Sequence, residues 1–308
     1  MSSPQMITLE QATWAWIEAG AKKHKMDILS RYLKAFQAGY LLSFGGTLVQ
    51  IMTANPWFTT NAPGLLKILQ GLVFPLGLVM IVLFQADLVT GQMAIMIMST
   101  MKRKVPLWAW FVDWTLVFIG NLSGALFYAG IVVHYGGIYT PAISKSAAMA
   151  ADMKAEAAFH EIFLRGIGCN YAVVAAVFMA SLAKDVVSKI FASYLPIFFF
   201  VAAGYDHVVA NMFLLPEGLM TDMADFSVGR YIGTSIVASF LGNVVGAALL
   251  VVPLVYIHGR DEFDPNNLEV ADVGAHGSSS PNGTVAGHQQ KNAEWREDVE
   301  RAAASKSG

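Results

Sequence analysis

The chain reads as an all-α integral membrane protein of six transmembrane helices in an inverted 3+3 repeat, with helices two and five broken. Three observations predict this class. The 308 residues are 55% hydrophobic and 14% charged, with a mean hydropathy of +0.50, whereas a soluble domain carries about a quarter charged residues. The apolar residues fall in long runs, 64–84, 107–133 and 231–257 among them, each matching the roughly 20 helical residues that a bilayer core requires. Two stretches of the chain also match each other in order and spacing.

The elements follow in order. Residues 1–30 lack the apolar core of a signal peptide and read as a cytoplasmic amphipathic helix carrying Leu9, Trp14, Trp16 and Ile17, with Thr8 and Gln11 as a capping box. Membrane insertion then rests on the first true span, 33–53. The others are 64–100, 106–134, 160–183, 188–220 and 228–257, so that the transporting domain is 31–257. The second and fifth are too long for one uninterrupted crossing. Residues 258–308 change to Asp, Glu, Asn, Gly and Ser, lose all periodicity and read as a disordered cytoplasmic tail, which contains the sequon-like Asn282-Gly283-Thr284.

Charge sets orientation. Lys102, Arg103 and Lys104 follow the second span, Lys184 and Lys189 separate the fourth from the fifth, and the N-terminal segment adds Lys22, Lys23, Lys25, Arg31 and Lys34. The connection 54–63 has no Lys or Arg, and 214–227 has only the acids Glu217, Asp222 and Asp225. Both termini therefore belong inside, although Lys145 and Lys154 fall in an outer connection. The net charge of −2 with no basic block excludes a nucleic-acid partner. The single cysteine, Cys169, excludes an intramolecular disulfide, and no spacing of His and Cys suits a metal or calls for a cofactor.

The repeat rests on two matches. Residues 86–93 (ADLVTGQM) align with 205–212 (YDHVVANM), acid on acid at Asp87 and Asp206, amide on amide at Gln92 and Asn211. Further on, Gly120-Asn121-x-x-Gly124 aligns with Gly242-Asn243-x-x-Gly246. The offsets are 119 and 122 residues, and because each copy holds three spans the second must lie upside down. Gly-x-x-x-Gly alone also serves close helix packing, a reading that leaves Asn121 and Asn243 unexplained.

Asp87 and Asp206 stand in apolar surroundings where an unpaired charge costs about 2.5–3.5 kcal/mol. Each accompanies a helix-weakening residue, Gly91 or Gly204. The acids read most simply as caps on helix fragments, accepting backbone N–H groups, which still holds the breaks open. His207 lies in the second break, where the first has Leu88. A membrane histidine can be a hydrogen-bonded packing residue, but its ordinary pKa lies near neutrality, and with the hydroxyl of Thr90 it can replace part of an anion's hydration.

At these residues the chain resembles the formate/nitrite transporter family: Ala-Asp-Leu-Val-Thr-Gly at 86–91, Gly-Cys-Asn at 168–170, Gly-Tyr-Asp-His-Val-Val-Ala-Asn-Met at 204–212 and the two Gly-Asn-x-x-Gly elements. The resemblance covers residues 30–257 and excludes the tails. It implies an aquaporin-like protomer with helices two and five broken, assembled as a homopentamer in the plasma membrane with one pore per protomer. It implies pore roles for Thr90, His207, Asn170, Asp206 and Asn211 and an outer-facing Lys154. Leu78 and Phe200, with Phe74 one turn away, match an apolar constriction on one side of the site, and Leu88 and Val89 match the other. Family members often carry Phe where Val89 stands, and Glu where Asp206 stands.

The expected function is transport of a small monovalent weak-acid anion with a proton, nitrite ahead of formate. Desolvating an anion in apolar rings costs several kcal/mol, and burial raises its proton affinity, so crossing as the neutral acid lowers the barrier. Lys154 would draw the anion in, and His207 would donate a hydrogen bond or relay the proton. An aquaporin-type neutral-solute pore would require two Asn-Pro-Ala caps, but the only Asn-Pro in the first five spans is Asn55-Pro56, in a loop. An enzyme is disfavoured: no Ser/His/Asp order is evident, and Gly166-x-Gly168 lacks the third glycine of a nucleotide loop.

Overall fold

The computed structural model describes residues 6–260, and these are all-helical apart from one isolated pairing of Met6 with Ala183. In order the helices are α1 (Leu9–His24), α2 (Ile28–Thr53), α3 (Pro56–Asn61), α4 (Pro63–Phe84), α5 (Val89–Met101), α6 (Ala109–Tyr135), α7 (Pro141–Glu156), α8 (Phe159–Leu182), α9 (Val186–Ala203), α10 (Val208–Met220) and α11 (Val228–His258). Five of them, α4, α6, α8, α9 and α11, are long and apolar enough to cross a membrane, and α5 and α10 are shorter apolar helices. The expected first span is α2, which has the length, 26 residues, but a less apolar composition. Its buried face carries Ser43, Thr47 and Gln50. Apart from residues 258–260, the expected tail and Asn282 lie outside the described residues.

The interruptions fall at matching places. α4 ends where Gln85 takes φ 53°, and α5 begins four residues later; α9 ends at Gly204, φ 78°, and α10 begins after His207. The left-handed conformation at each stop satisfies the last carbonyls and turns the chain away from the helix axis.

Two helix pairs pack at backbone distance, α6 on α2 and α11 on α8. A Cβ at Gly124 would overlap the carbonyl of Phe36, and one at Gly120 would lie 2.5 Å from Ala35 Cβ. Gly242 and Gly246 face the carbonyls of Phe163 and Ile167 in the same way. The packing reading of both Gly-x-x-x-Gly elements therefore holds for the glycines.

The N-terminal helix is integrated into this body. Thr8 and Gln11 form the expected capping box at 3.2 and 3.0 Å. α1 buries Trp14, Trp16, Ile17 and Gly20, and Ser99 of α5 donates to the Ile17 carbonyl at 2.6 Å. At the turn into α2, the fully buried Asp113 of α6 pairs with Arg31 and lies 3.0 Å from His24 Nδ1. One acid thus clamps both sides of that turn. Cys169 is buried.

Candidate functional site

The centre of the site is built by two asparagines. Asn121 Oδ1 accepts from the Val89 N–H at 2.8 Å, while its Nδ2 donates to the carbonyls of Ala35 at 2.8 Å and Asp87 at 2.9 Å. Asn243 repeats the pattern: Oδ1 accepts from Val208 N–H at 3.0 Å, and Nδ2 donates to Gly166 and Asp206 carbonyls at 2.8 and 3.2 Å. Each amide therefore caps a half-helix, holds the preceding break and ties it to a neighbouring helix. This corrects the expectation that the acids are the caps. The Asp87 carboxylate is instead ion-paired with Lys23, and that of Asp206 with Lys154 at 2.6 Å, with Arg165 at 4.0 Å. A lysine gives a buried carboxylate full charge compensation, which a neutral N–H does not.

The breaks bring Thr90 and His207 together. Thr90 Oγ1 lies 3.0 Å from His207 Nε2, and His207 Nδ1 accepts the Ala210 N–H at 3.2 Å, so the imidazole itself caps α10. Because Nδ1 is an acceptor, the neutral ring carries its proton on Nε2 and donates to Thr90. The Asn170 side chain is fully buried and donates to the carbonyls of Asn243 at 2.8 Å and Thr90 at 3.3 Å. It supports the site and lines none of the cavities beside it.

Two cavities approach this centre from different sides. One, of about 320 Å³, is lined by Lys154, Arg165, Asp206, Asn211, Phe74, Phe200 and His207. The other, of about 460 Å³, is lined by Lys23, Lys34, Asp87, Gln92, Leu78 and Leu88. Between them is a void with no room for a water molecule, sharing Phe74, Phe200 and His207 with the first cavity and Leu78 and Leu88 with the second. Phe74 and Phe200 meet edge to face at 5.9 Å.

The apolar closure thus groups differently from expectation. Leu78 sits one helical turn beyond Phe74, towards the break, and borders the far cavity with Leu88 rather than standing beside Phe200 alone. Val89 is fully buried and lines none of the three spaces; its contribution is the N–H given to Asn121. Nothing in the sequence singles out Lys23 or Arg165, which the structure places beside Asp87 and Asp206. Lys23 reads as one more charge in a basic segment, and only the packing of α1 brings it to Asp87.

Helices enclosing two half-helices, with a polar pair behind apolar side chains, define a membrane protein of the channel and transporter class. The sequence pattern of the family described as "Formate/nitrite transporter" matches residues 10–257, and the chain belongs to that family. It is 34% identical over 264 residues to "Uncharacterized transporter YrhG" of Bacillus subtilis, covering 84% of this chain and 96% of the relative. It is 29% identical over 249 residues to "Probable formate transporter" of Methanothermobacter thermautotrophicus, covering 76% and 90%. A solved structure described as "Pentameric formate channel with formate bound" superposes with TM-score 0.66 at 24% identity, covering 74% of this chain and 96% of the other. At that identity the likeness speaks for the fold.

Proposed function

We propose that the protein carries a small monovalent weak-acid anion across the plasma membrane together with a proton, nitrite being the sequence-based expectation. The relative named as a probable formate transporter supports formate as the second reading. The observation that carries the proposal is the Thr90–His207 pair, closed off by Phe74 and Phe200 towards one cationic cavity and by Leu78 and Leu88 towards the other. In this reading α2 is the first span, bringing the number to six, and α4–α5 and α9–α10 are the discontinuous second and fifth. The two halves are inverted copies, both termini are cytoplasmic, and Lys154 faces outward. Five copies assemble, each with its own passage.

Lys154, or Lys23 from the other side, draws the anion to the apolar closure. A bare anion there loses hydration worth several kcal/mol, and the same desolvation raises its affinity for a proton. His207 offers Nε2–H as a donor. Its Nδ1 is committed to the Ala210 N–H, so a second proton on the ring would break the cap of α10. That favours water in the cavity as the proton source and assigns the imidazole to hydrogen-bond donation rather than relay.

The test is uptake of nitrite and formate into proteoliposomes under an imposed pH gradient, with a pH dye inside. Anion entry with matching proton movement supports the proposal. Entry without it removes the proton step, and no flux of either anion removes the assignment.

A further inference from the structure

In the sequence Glu217 counts with the acids of an outer connection, yet the structure places it inside α10, as the tenth residue of that helix and 1% exposed. Four acids are buried among the described residues. Three of them have a cation: Asp87 has Lys23, Asp206 has Lys154 and Asp113 has Arg31. Glu217 takes part in no ion pair among the described residues, and its buried Oε2 has no hydrogen-bond partner. Its surroundings are tight. Phe213, one turn earlier on α10, meets the Tyr128 ring of α6 at 5.8 Å, and a Cβ on Gly218 would overlap Ala151 of α7. Glu217 lines none of the three spaces described above.

The neighbours supply no positive charge. The phenols of Tyr128 and of Tyr139, in the turn before α7, lie within electrostatic reach of the carboxyl. From α2, Thr47 Oγ1 lies 3.5 Å from the Tyr128 hydroxyl, and Gln50 accepts from that of Tyr139. The cations on the packed elements are engaged elsewhere: Lys154 of α7 with Asp206, Arg31 of α2 with Asp113, Lys34 of α2 with the Gln85 carbonyl, and Arg230 of α11 with the Ala155 carbonyl. Lys145 of α7 and His134 of α6 are exposed. Asp152 of α7 accepts the Asp225 N–H, Tyr231 of α11 is neutral, and α5 has no titratable side chain. An ionised carboxylate left unpaired in such a place is far costlier than the neutral acid.

We propose that Glu217 is a proton site: the folded protein holds it as the neutral acid, and that proton keeps α10 seated between α6 and α7. Without the proton, the carboxylate requires water or a cation, and admitting either displaces α10. His207 caps the same helix and Asn211 lines the Lys154-side cavity, so a displaced α10 disturbs the centre of the passage. The site lies outside the passage and goes beyond the transport reading, whichever anion crosses.

Infrared spectroscopy and reversible unfolding of the whole protein test it. At neutral pH the wild type shows the carbonyl-stretch band of a protonated carboxylic acid, and Glu217→Gln removes it. A folded state that keeps a proton which the unfolded chain releases loses stability as pH rises. From the usual carboxylate range up to the pH at which Glu217 ionises, the wild-type unfolding equilibrium therefore shifts towards the unfolded state by about tenfold per pH unit relative to Glu217→Gln. Glu217→Met, neutral and of similar size, gives the same two results should the glutamine variant not assemble. Under a fixed proton gradient, anion uptake falls more steeply with rising pH in the wild type than in either variant. No such band in the wild type, a band kept by both variants, or parallel stability curves overturns the proton site. Parallel uptake profiles overturn its link to the passage. Absence of flux in the wild type overturns the transport reading and leaves the infrared and unfolding results to decide the site.

Discussion

At His207 two roles share one ring, and they can be separated. Nδ1 caps α10 through the Ala210 N–H, while Nε2 reaches Thr90 at the centre of the passage. His207→Asn retains a side chain that caps helices well but shortens the reach to Thr90. Thermal unfolding close to wild type with anion uptake lost is the expected outcome in detergent and proteoliposome measurements. His207→Phe removes both roles, leaves a buried N–H orphaned at a cost of about 1–3 kcal/mol, and abolishes uptake as well. Asn121 and Asn243 each complete three buried hydrogen bonds. Asn121→Ala or Asn243→Ala strands several backbone groups and lowers unfolding stability by about 3 kcal/mol or more, read as a fall in melting temperature. The sequence made His207, Thr90 and the asparagine pair legible, because each lies in a repeated motif. It did not reveal that asparagine rather than aspartate caps the half-helices. A carboxylate and an amide are both good caps in isolation, and only the approach of Lys23 and Lys154 decides between them.

Between elements, the close contacts of α6 with α2 and of α11 with α8 leave no room for a β-carbon. Gly124→Ala and Gly246→Ala force helix backbones apart, each costing about 1–3 kcal/mol. Gly91→Ala meets open space and leaves stability unchanged or raised by about 1 kcal/mol through helix propensity. Parallel thermal melts of the three variants check the contrast. At the starts of α2 and α9, Asp27 and Asp185 accept the N–H groups of Ser30 and Ser188 at 2.8 Å, and these bonds hold both carboxyls below the ordinary carboxylate pKa. A lowered carboxylate pKa contributes stability above the unfolded-state value and loses it as pH falls through the folded-state value. The protection of amides in the first turns of α2 and α9, measured against their intrinsic exchange rates at each pH, is therefore expected to fall on acidification below the usual carboxylate range and to stay constant near neutrality. The long apolar runs were legible because length and hydropathy suffice. α2 reads as a span although its buried Ser43, Thr47 and Gln50 lower its apolar content; the stop at Gly204 is legible from the glycine, whereas the stop at Gln85 shows in the sequence only as an over-long run, because Gly91 lies inside α5.

For the molecule as a whole, the outer surfaces of several helices carry large apolar side chains, Phe111 at 78% exposed, Val187 and Leu195 among them, which suits contact with lipid or with further copies. In mild detergent, native mass measurement is expected to give five protomers, and a monomer would remove the pentamer from the proposal. The amino-terminal helix looks from sequence like an appendage, since its apolar face is short and its charges resemble any cytoplasmic leader. Lys23 and His24 change that picture. A protein shortened to begin at Ile28 would lose the cation that pairs with Asp87 and one of the two groups that hold Asp113. Asp87, 5% exposed, would be left without its paired cation, and Asp113 would keep Arg31 alone. Trimming this helix to improve yield would thus weaken the folded body: Leu9–His24 is as much a part of its masonry as any span.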